Sequence, residues 1–333
     1  MAAFLASAFQ LNPDAPFLRS ELLQWKYFEP RPDWDGGRSF LLRRDGRIMA
    51  HGCLAPLTFL APRGEVTSLR VIDWAGSRSF PGAGARLMKL LATFAETVLA
   101  PGGSPHTLQI LPKIGFQLYG YFESYARVIH PWSQFRSYPS GDWKKPLRLL
   151  RNFAWSCKPL PRPPLHWSAS RISEFDQSML PLLNNRLPRS FTPPRRSIRW
   201  LNYMLRCPGA AFSAFLLRRE QEIRGYFVCS RVGGQSRLAE VWINSELPQD
   251  WHAAYSLATR TLAHDPNTCE ATAIASIDLA RRALLSNGFV LRRREPIYVY
   301  DPKGLLDGAP PLHLSLLDGD ECYLHNPASP YLT

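Results

Sequence analysis

The sequence has no run of about eighteen uncharged apolar residues, the length a membrane-spanning helix needs, so no such helix is expected. Its first residues, Met1 to Phe9, lack the charged segment and longer apolar stretch of a secretory signal, and a cytoplasmic protein is expected. Cysteines are few and stand singly, at 53, 157, 207, 229, 269 and 322. With no C-x-x-C pair and no histidine at ligand spacing, neither a zinc site nor a disulfide framework is indicated. No metal is expected, and the thiols read as reduced and mostly buried. Acidic side chains are also scarce: 27 Asp and Glu stand against 40 Lys and Arg, a formal charge of +13. That imbalance points to anionic partners, among which a phosphorylated cofactor, an acidic substrate, nucleic acid and a membrane surface all qualify.

What the chain does have is apolar content for a real core, 45% of 333 residues, in a length that suits two domains. Prolines at 139, 146, 159, 161, 163 and 164 set one stretch apart. It divides the chain into an N-terminal domain, 1–140, a Pro-rich basic linker helix, 141–165, and a C-terminal domain, 166–333. Within the linker, Leu147, Leu149, Leu150, Phe153 and Trp155 alternate with Lys144, Lys145, Arg148 and Arg151. A helix over 144–155 with that pattern fits peripheral contact with an anionic membrane or an inter-domain helix packed on both halves; its shortness favours the second.

The flanking halves repeat each other. Ser39-Phe-Leu-Leu-Arg-Arg44 and the residues to Gly52 have a counterpart in Ala214-Phe-Leu-Leu-Arg-Arg219 and the residues to Phe227, each reading as strand, tight turn, strand. Leu23 to Tyr27 resembles Ile198 to Tyr203, the strand Leu69 to Trp74 lines up with Leu238 to Val241, and each half closes on Gly-Phe, at Gly115-Phe116 and Gly288-Phe289. In the first half a strand-like run leads into Ser79-Phe80-Pro81-Gly82-Ala83-Gly84-Ala85-Arg86 and then a helical pattern, with Leu87, Leu90, Leu91, Phe94, Ala95 and Val98 as its apolar face. Glycines at 82 and 84 let the backbone approach a ligand closely, and a helix start offers N–H groups and a positive dipole end to a phosphate. A bare strand-to-helix turn uses glycines in the same way.

Those elements in that order resemble the GNAT family of acyl-CoA N-acyltransferases, and their doubling resembles a tandem GNAT protein. The resemblance implies an α/β fold of two GNAT-like domains, each a mixed, mostly antiparallel sheet flanked by helices. The family's cofactor signature places Arg or Gln, two residues, Gly, one residue and Gly or Ala after a strand. Ser79 to Gly84 fills it, with Ser79 where Arg or Gln is usual and Arg78 and Arg86 at hand to supply charge. By this resemblance Ser79 to Arg86, with Trp74 and Ala75 at the strand end that splays open in the family, hold acetyl-CoA or another acyl-CoA as co-substrate. Asp73 is the acid nearest that opening and would receive the amine proton as general base, or else is a salt-bridged strand-end carboxylate; Glu65 and His51 are weaker alternatives. Lys113-Ile114-Gly115-Phe116 resembles the family's closing motif, but Leu111 stands where its thiolate-protonating tyrosine is usual, which leaves Tyr119, Tyr121 or water for that step.

The second half has no glycine loop: Glu246 to His252 lacks glycine and places Asp250 near a helix start, so this copy is expected to bind no acyl-CoA. Its Glu240 corresponds to Asp73. His313 to Glu321 reads as a tight turn after a terminal strand rather than a cation loop. The expected function is transfer of an acetyl or other acyl group from coenzyme A to a small-molecule or other amine-bearing acceptor. A catalytically silent binding module of the same fold is the alternative. A nucleic-acid binder is disfavoured, because Arg195-Arg196, Arg218-Arg219 and Arg292 to Arg294 are dispersed without stacking motifs. Trp25, Tyr27, Trp34 and Trp132 are candidates to line an acceptor cleft, or else core aromatics.

Overall fold

Hairpins set the framework. After helices α1 (Ala2–Phe9) and α2 (Ser20–Tyr27), strands β1 (Ser39–Arg44) and β2 (Arg47–Ala61) are joined through Asp45 and Gly46. Both turn residues have positive φ, 49° and 73°, the twist that a two-residue hairpin requires. Strand β3 (Gly64–Gly76) runs back along β2 and is followed by α3 (Ala83–Leu91), β4 (Thr97–Pro101), α4 (Pro105–Ile110) and β5 (Gln117–Val128). Then come α5 (Pro131–Ser137), α6 (Lys145–Ser156), β6 (Trp167–Ile172), α7 (Leu180–Asn184) and α8 (Ile198–Leu205). The remaining elements are β7 (Ala211–Arg219), β8 (Glu222–Val232), β9 (Gln235–Ile243), α9 (Pro248–His264), β10 (Glu270–Ala275), α10 (Asp278–Ser286) and β11 (Val290–Tyr300). This computed structural model describes residues 1–138, 143–185, 190–326 and 329–333; Pro139 and the expected boundary at 140/141 lie outside the described residues. The fold is α/β, with a large mixed, mostly antiparallel sheet flanked by helices.

Two compact units are present, and neither is continuous in sequence. The first comprises Met1–Tyr121, Phe191–Arg195 and Glu295–Leu312; the second comprises Phe122–Ser190, Arg196–Arg294 and His313–Thr333. In the first unit the strand order is β1-β2-β3-β4-β11, antiparallel except for the parallel pair β3 and β4. Leu87, Met88 and Leu91 of α3 close its core with Ala50, Leu54, Leu69, Val98, Leu111 and Phe116. In the second unit the order is β5-β10-β9-β8-β7-β6, with β9 and β10 parallel. Strands β5 and β11 therefore each give residues to both units.

Helix α3 is shorter than its apolar spacing predicts. It stops at Leu91, the hydroxyl of Thr93 donates to the Leu90 carbonyl at 2.7 Å, and Val98 lies on β4. Leu90 and Phe94 are exposed, 55% and 39%, so Met88 rather than Leu90 completes the buried face. Both Gly-Phe closures have one form: Gly115 (φ 98°) and Gly288 (φ 81°) end a helical turn in the left-handed region, and Phe116 and Phe289 enter the core. The expected turn near the C-terminus is a 3-10 turn, Leu316–Asp318, closed by a capping box between Ser315 and Asp318. The strand before it, β11, ends at Tyr300, and between the two only an isolated bridge at Leu312 is found.

Candidate functional site

In the first unit the ladder between β3 and β4 is short. Their pairing ends at Arg70 and Leu99, while β3 continues to Gly76. Along the other edge of β3 the register slips: His51 pairs with Ala75 and Cys53 with Ile72, so Asp73 and Trp74 together face the single residue Gly52. This is a β-bulge, which takes backbone groups out of the ladder and turns them aside. Asp73 has φ +50°, a left-handed conformation that costs a non-glycine residue on the order of 1 kcal/mol. A side chain at Gly52 would meet Leu91 at 2.7 Å, so the glycine opposite the bulge lets α3 lie directly on the sheet.

Buried partners hold the strained residue. Lys26 of α2 forms an ion pair with the Asp73 carboxylate, the two side chains 1% and 6% exposed, and the Tyr27 hydroxyl donates to Asp73 Oδ2 at 2.8 Å. The Asp73 carbonyl accepts from His51 Nδ1 at 3.0 Å, which fixes the ring tautomer, and His51 Nε2 accepts from the Ser39 hydroxyl at 3.0 Å. Burial lowers the His51 pKa to about 4, with the Lys26 and N-terminal charges adding to the effect, so the ring is neutral at pH 7. Asp73 is thus a salt-bridged carboxylate. Glu65, the other acid considered, pairs with Arg195 on the surface.

Beyond the bulge, strand and helix touch. Trp74 Nε1 donates to the Gly84 carbonyl at 2.9 Å, and a Cβ at Gly76 or Gly84 would come within 3.2 Å of Gly84 N or 3.3 Å of Trp74 Nε1. Between them Ser77 N bonds the Met49 carbonyl, Phe80 N the Ser77 carbonyl and Ala83 N the Phe80 carbonyl, which coils Ser79, Phe80 and Pro81 into a tight lead-in. Gly82 (φ 84°) then starts α3 with no side-chain cap and no acid in its first turn. Ala83 is buried, Ala85 is half-buried, and Arg78 and Arg86 are exposed. An uncapped helix start leaves N–H groups and a positive dipole end without a side-chain partner, the chemistry that favours an anion.

The tyrosines lie elsewhere in this unit. Tyr119 donates to the Ala309 and Pro310 carbonyls at 3.4 Å, and burial with the charges of Asp301 and Asp307 raises its pKa. Tyr121 is 44% exposed. Leu111 is fully buried in the core. Trp25 and Tyr27 are core residues at 5% and 3% exposure, Trp34 packs on the core, and Trp132 stands 48% exposed, stacked on Phe135.

The second unit carries a matching bulge without the loop. Val228 pairs with Glu240 and Cys229 with Leu238, leaving Ala239 over. Glu240 accepts from the Tyr226 hydroxyl at 2.6 Å and pairs with Arg196 at 2.8 Å; Arg196 also pairs with Asp318 at 2.5 Å, all three charged groups buried. Burial works against the Arg196 charge, but Asp318 and Glu240 outweigh it and keep its pKa above the ordinary value. At the start of α9, Ser245 donates to Asp250 Oδ2 at 2.6 Å and accepts from Leu247 N, so an acid sits where α3 has none. Sequence reasoning missed Lys26 and Arg196 as partners, although the match of Leu23 to Tyr27 with Ile198 to Tyr203 falls on α2, which carries Lys26, and on α8, which begins two residues after Arg196. Among the described residues no cluster of His, Cys, Asp or Glu is arranged to hold a metal, and no helix is long and apolar enough to cross a membrane.

No family model matches the sequence, and no curated protein matches it. Solved structures do. A GCN5-related N-acetyltransferase from Anabaena variabilis superposes with TM-score 0.58 at 11% identity, over 90% of this chain and 68% of that one. The fold is that of the GNAT acyltransferases. A tandem GNAT protein from the clavulanic acid biosynthesis pathway matches with TM-score 0.56 at 12% identity, over 90% and 92% of the two chains. Saccharomyces cerevisiae N-myristoyltransferase, solved with bound myristoyl-CoA, matches with TM-score 0.59 at 12% identity, over 90% and 76%.

Proposed function

We propose that the chain is an acyltransferase that binds acyl-CoA in its first unit and transfers the acyl group to an amine. The observation that carries this reading is the conjunction at the end of β3: a splay from β4, a bulge, and the uncapped start of α3 beside Arg78 and Arg86. The pyrophosphate of coenzyme A would take the helix start at Ser79 to Arg86, and the pantetheine arm would lie along Trp74 and Ala75. The neutral amine nitrogen attacks the thioester carbonyl carbon, the bulge backbone stabilises the oxyanion, the C–S bond breaks to release the thiolate, and the amine's surplus proton passes to water. Tyr119, kept protonated, is the candidate to return a proton to that sulfur; exposed Tyr121 is the other.

Asp73 we assign as a positioning residue rather than the base. Glu240 is held by a tyrosine and a buried cation in the same way, in a unit without the glycine loop, so the network's common task is to hold a bulge. We read the two units as copies of one GNAT-like domain, the second having lost its anion site. A silent binding module is the second reading, favoured by the ion-paired Asp73 and by Leu111 in the tyrosine's place.

Titration calorimetry with acetyl-CoA, beside a free-thiol assay over a panel of amines, tests both. Wild type should bind, and Arg78→Glu with Arg86→Glu, both exposed, should weaken binding about tenfold or more. Binding unaffected by that pair refutes the site. Binding without thiol release for any amine favours the silent module.

A further inference from the structure

Helix α6 presents its apolar side to solvent. Leu147, Leu150 and Phe153 follow one another at helical spacing and are 60%, 69% and 45% exposed; Trp143, just before the helix, is 75% exposed. The opposite side is fastened by polar contacts: buried Asn152 donates to Gln134 Oε1 at 2.9 Å, and Gln134 Nε2 reaches the Thr333 hydroxyl at 2.6 Å. A helix docked through an amide with three large apolar side chains outward inverts the usual arrangement, in which the apolar stripe faces the core.

The charge around the stripe is of one sign. Between Pro131 and Leu165 the sequence has seven Lys and Arg and a single acid, Asp142. Aromatic rings hold several of these cations in place: Arg136 lies over Trp132 at 5.3 Å, Lys145 over Phe135 at 4.6 Å, Arg148 over Tyr138 at 5.4 Å and Arg151 over Trp155 at 4.5 Å. Exposed aliphatics along one helix face, Trp at its margin and Lys and Arg on its flanks are the composition of a helix lying in a bilayer interface.

We propose that α6 seats the protein on an anionic lipid bilayer, with Leu147, Leu150, Phe153 and Trp143 entering the acyl-chain boundary and the flanking cations meeting lipid headgroups. The complementary charge selects anionic lipid over a second copy of this chain, which would bring two strongly basic faces together. Seating does not depend on acyl transfer.

Co-sedimentation of the full chain with phosphatidylcholine vesicles, with and without phosphatidylglycerol, tests it. Wild type should pellet with the anionic vesicles, less so as salt rises. Leu147→Glu with Leu150→Glu and Phe153→Glu should cut partitioning about tenfold or more while the thermal transition stays in place, because the positions are exposed. Lys144→Gln with Lys158→Gln should reduce it by about fivefold per residue. Wild type left in the supernatant, equal binding to neutral vesicles, or a triple-Glu variant that pellets like wild type each overturns the proposal. So does a dimer in vesicle-free solution that the triple-Glu variant converts to monomer, with no vesicle binding by either.

Discussion

Replacing Lys26 with Met removes one partner of a buried ion pair while nearly preserving side-chain volume. The Asp73 carboxylate then keeps the Tyr27 hydroxyl but loses the Lys26 ammonium, at 6% exposure. Breaking such a pair from one side costs about 3–5 kcal/mol, mostly because a charge is left buried without its counterpart. At about 2–4 °C per kcal/mol the thermal midpoint should fall by roughly 6–20 °C. Asp73→Asn should cost a similar amount, since Lys26, which lies over the rings of Phe17 and Tyr27, would lose its carboxylate partner. The double variant removes both charges and should recover at least about 2 kcal/mol of the summed loss. Calorimetric and urea unfolding of all four proteins measures that coupling, and coenzyme titration beside it reports whether the bulge survives. A coupling near zero, or Asp73→Asn that loses activity about a hundredfold or more without losing stability, would refute the positioning role and return Asp73 to the position of base.

His51 should make stability fall on the acid side. Its folded pKa of about 4 lies below the ordinary 6.5, so its contribution is complete above pH 6.5, is lost as pH falls towards 4 and is level below that, about 3 kcal/mol in all. Comparing unfolding free energies of wild type and His51→Gln across that window checks it; parallel curves would contradict it. Gly84→Val should push Trp74 off the start of α3, because even its Cβ falls 3.3 Å from Trp74 Nε1. The expected result is a loss of about 1–3 kcal/mol in stability with acetyl-CoA affinity down about tenfold or more, and unchanged affinity would separate the loop from the coenzyme.

Local signals in the sequence carried the hairpins, the glycine loop and both Gly-Phe closures, because each depends on residues within a few positions of one another. Asp45-Gly46 sets one turn, and Gly115 and Gly288 can end their helical turns at positive φ where other side chains would strain. Apolar spacing overstates the length of α3 because Phe94 and Val98 continue it by coincidence, one lying in the turn after the helix and the other on β4. The partners of the bulge were beyond reach for a different reason. Lys26 meets Asp73 across 47 positions, and Arg196 meets Asp318 across 122, so no periodicity links them. Pairing of β4 with β11 is longer-range still, joining Pro101 to Ile297.

That last pairing bears on how the protein is made. Strand β4, the parallel neighbour of β3, receives its antiparallel neighbour only from residues 297–300. During synthesis the loop, α3 and both hairpin strands of the first unit leave the ribosome some two hundred residues before the strand that closes their sheet. For all of that interval this edge of β4 lacks the strand it pairs with, and the first unit completes its sheet only once residues 297–300 have been translated.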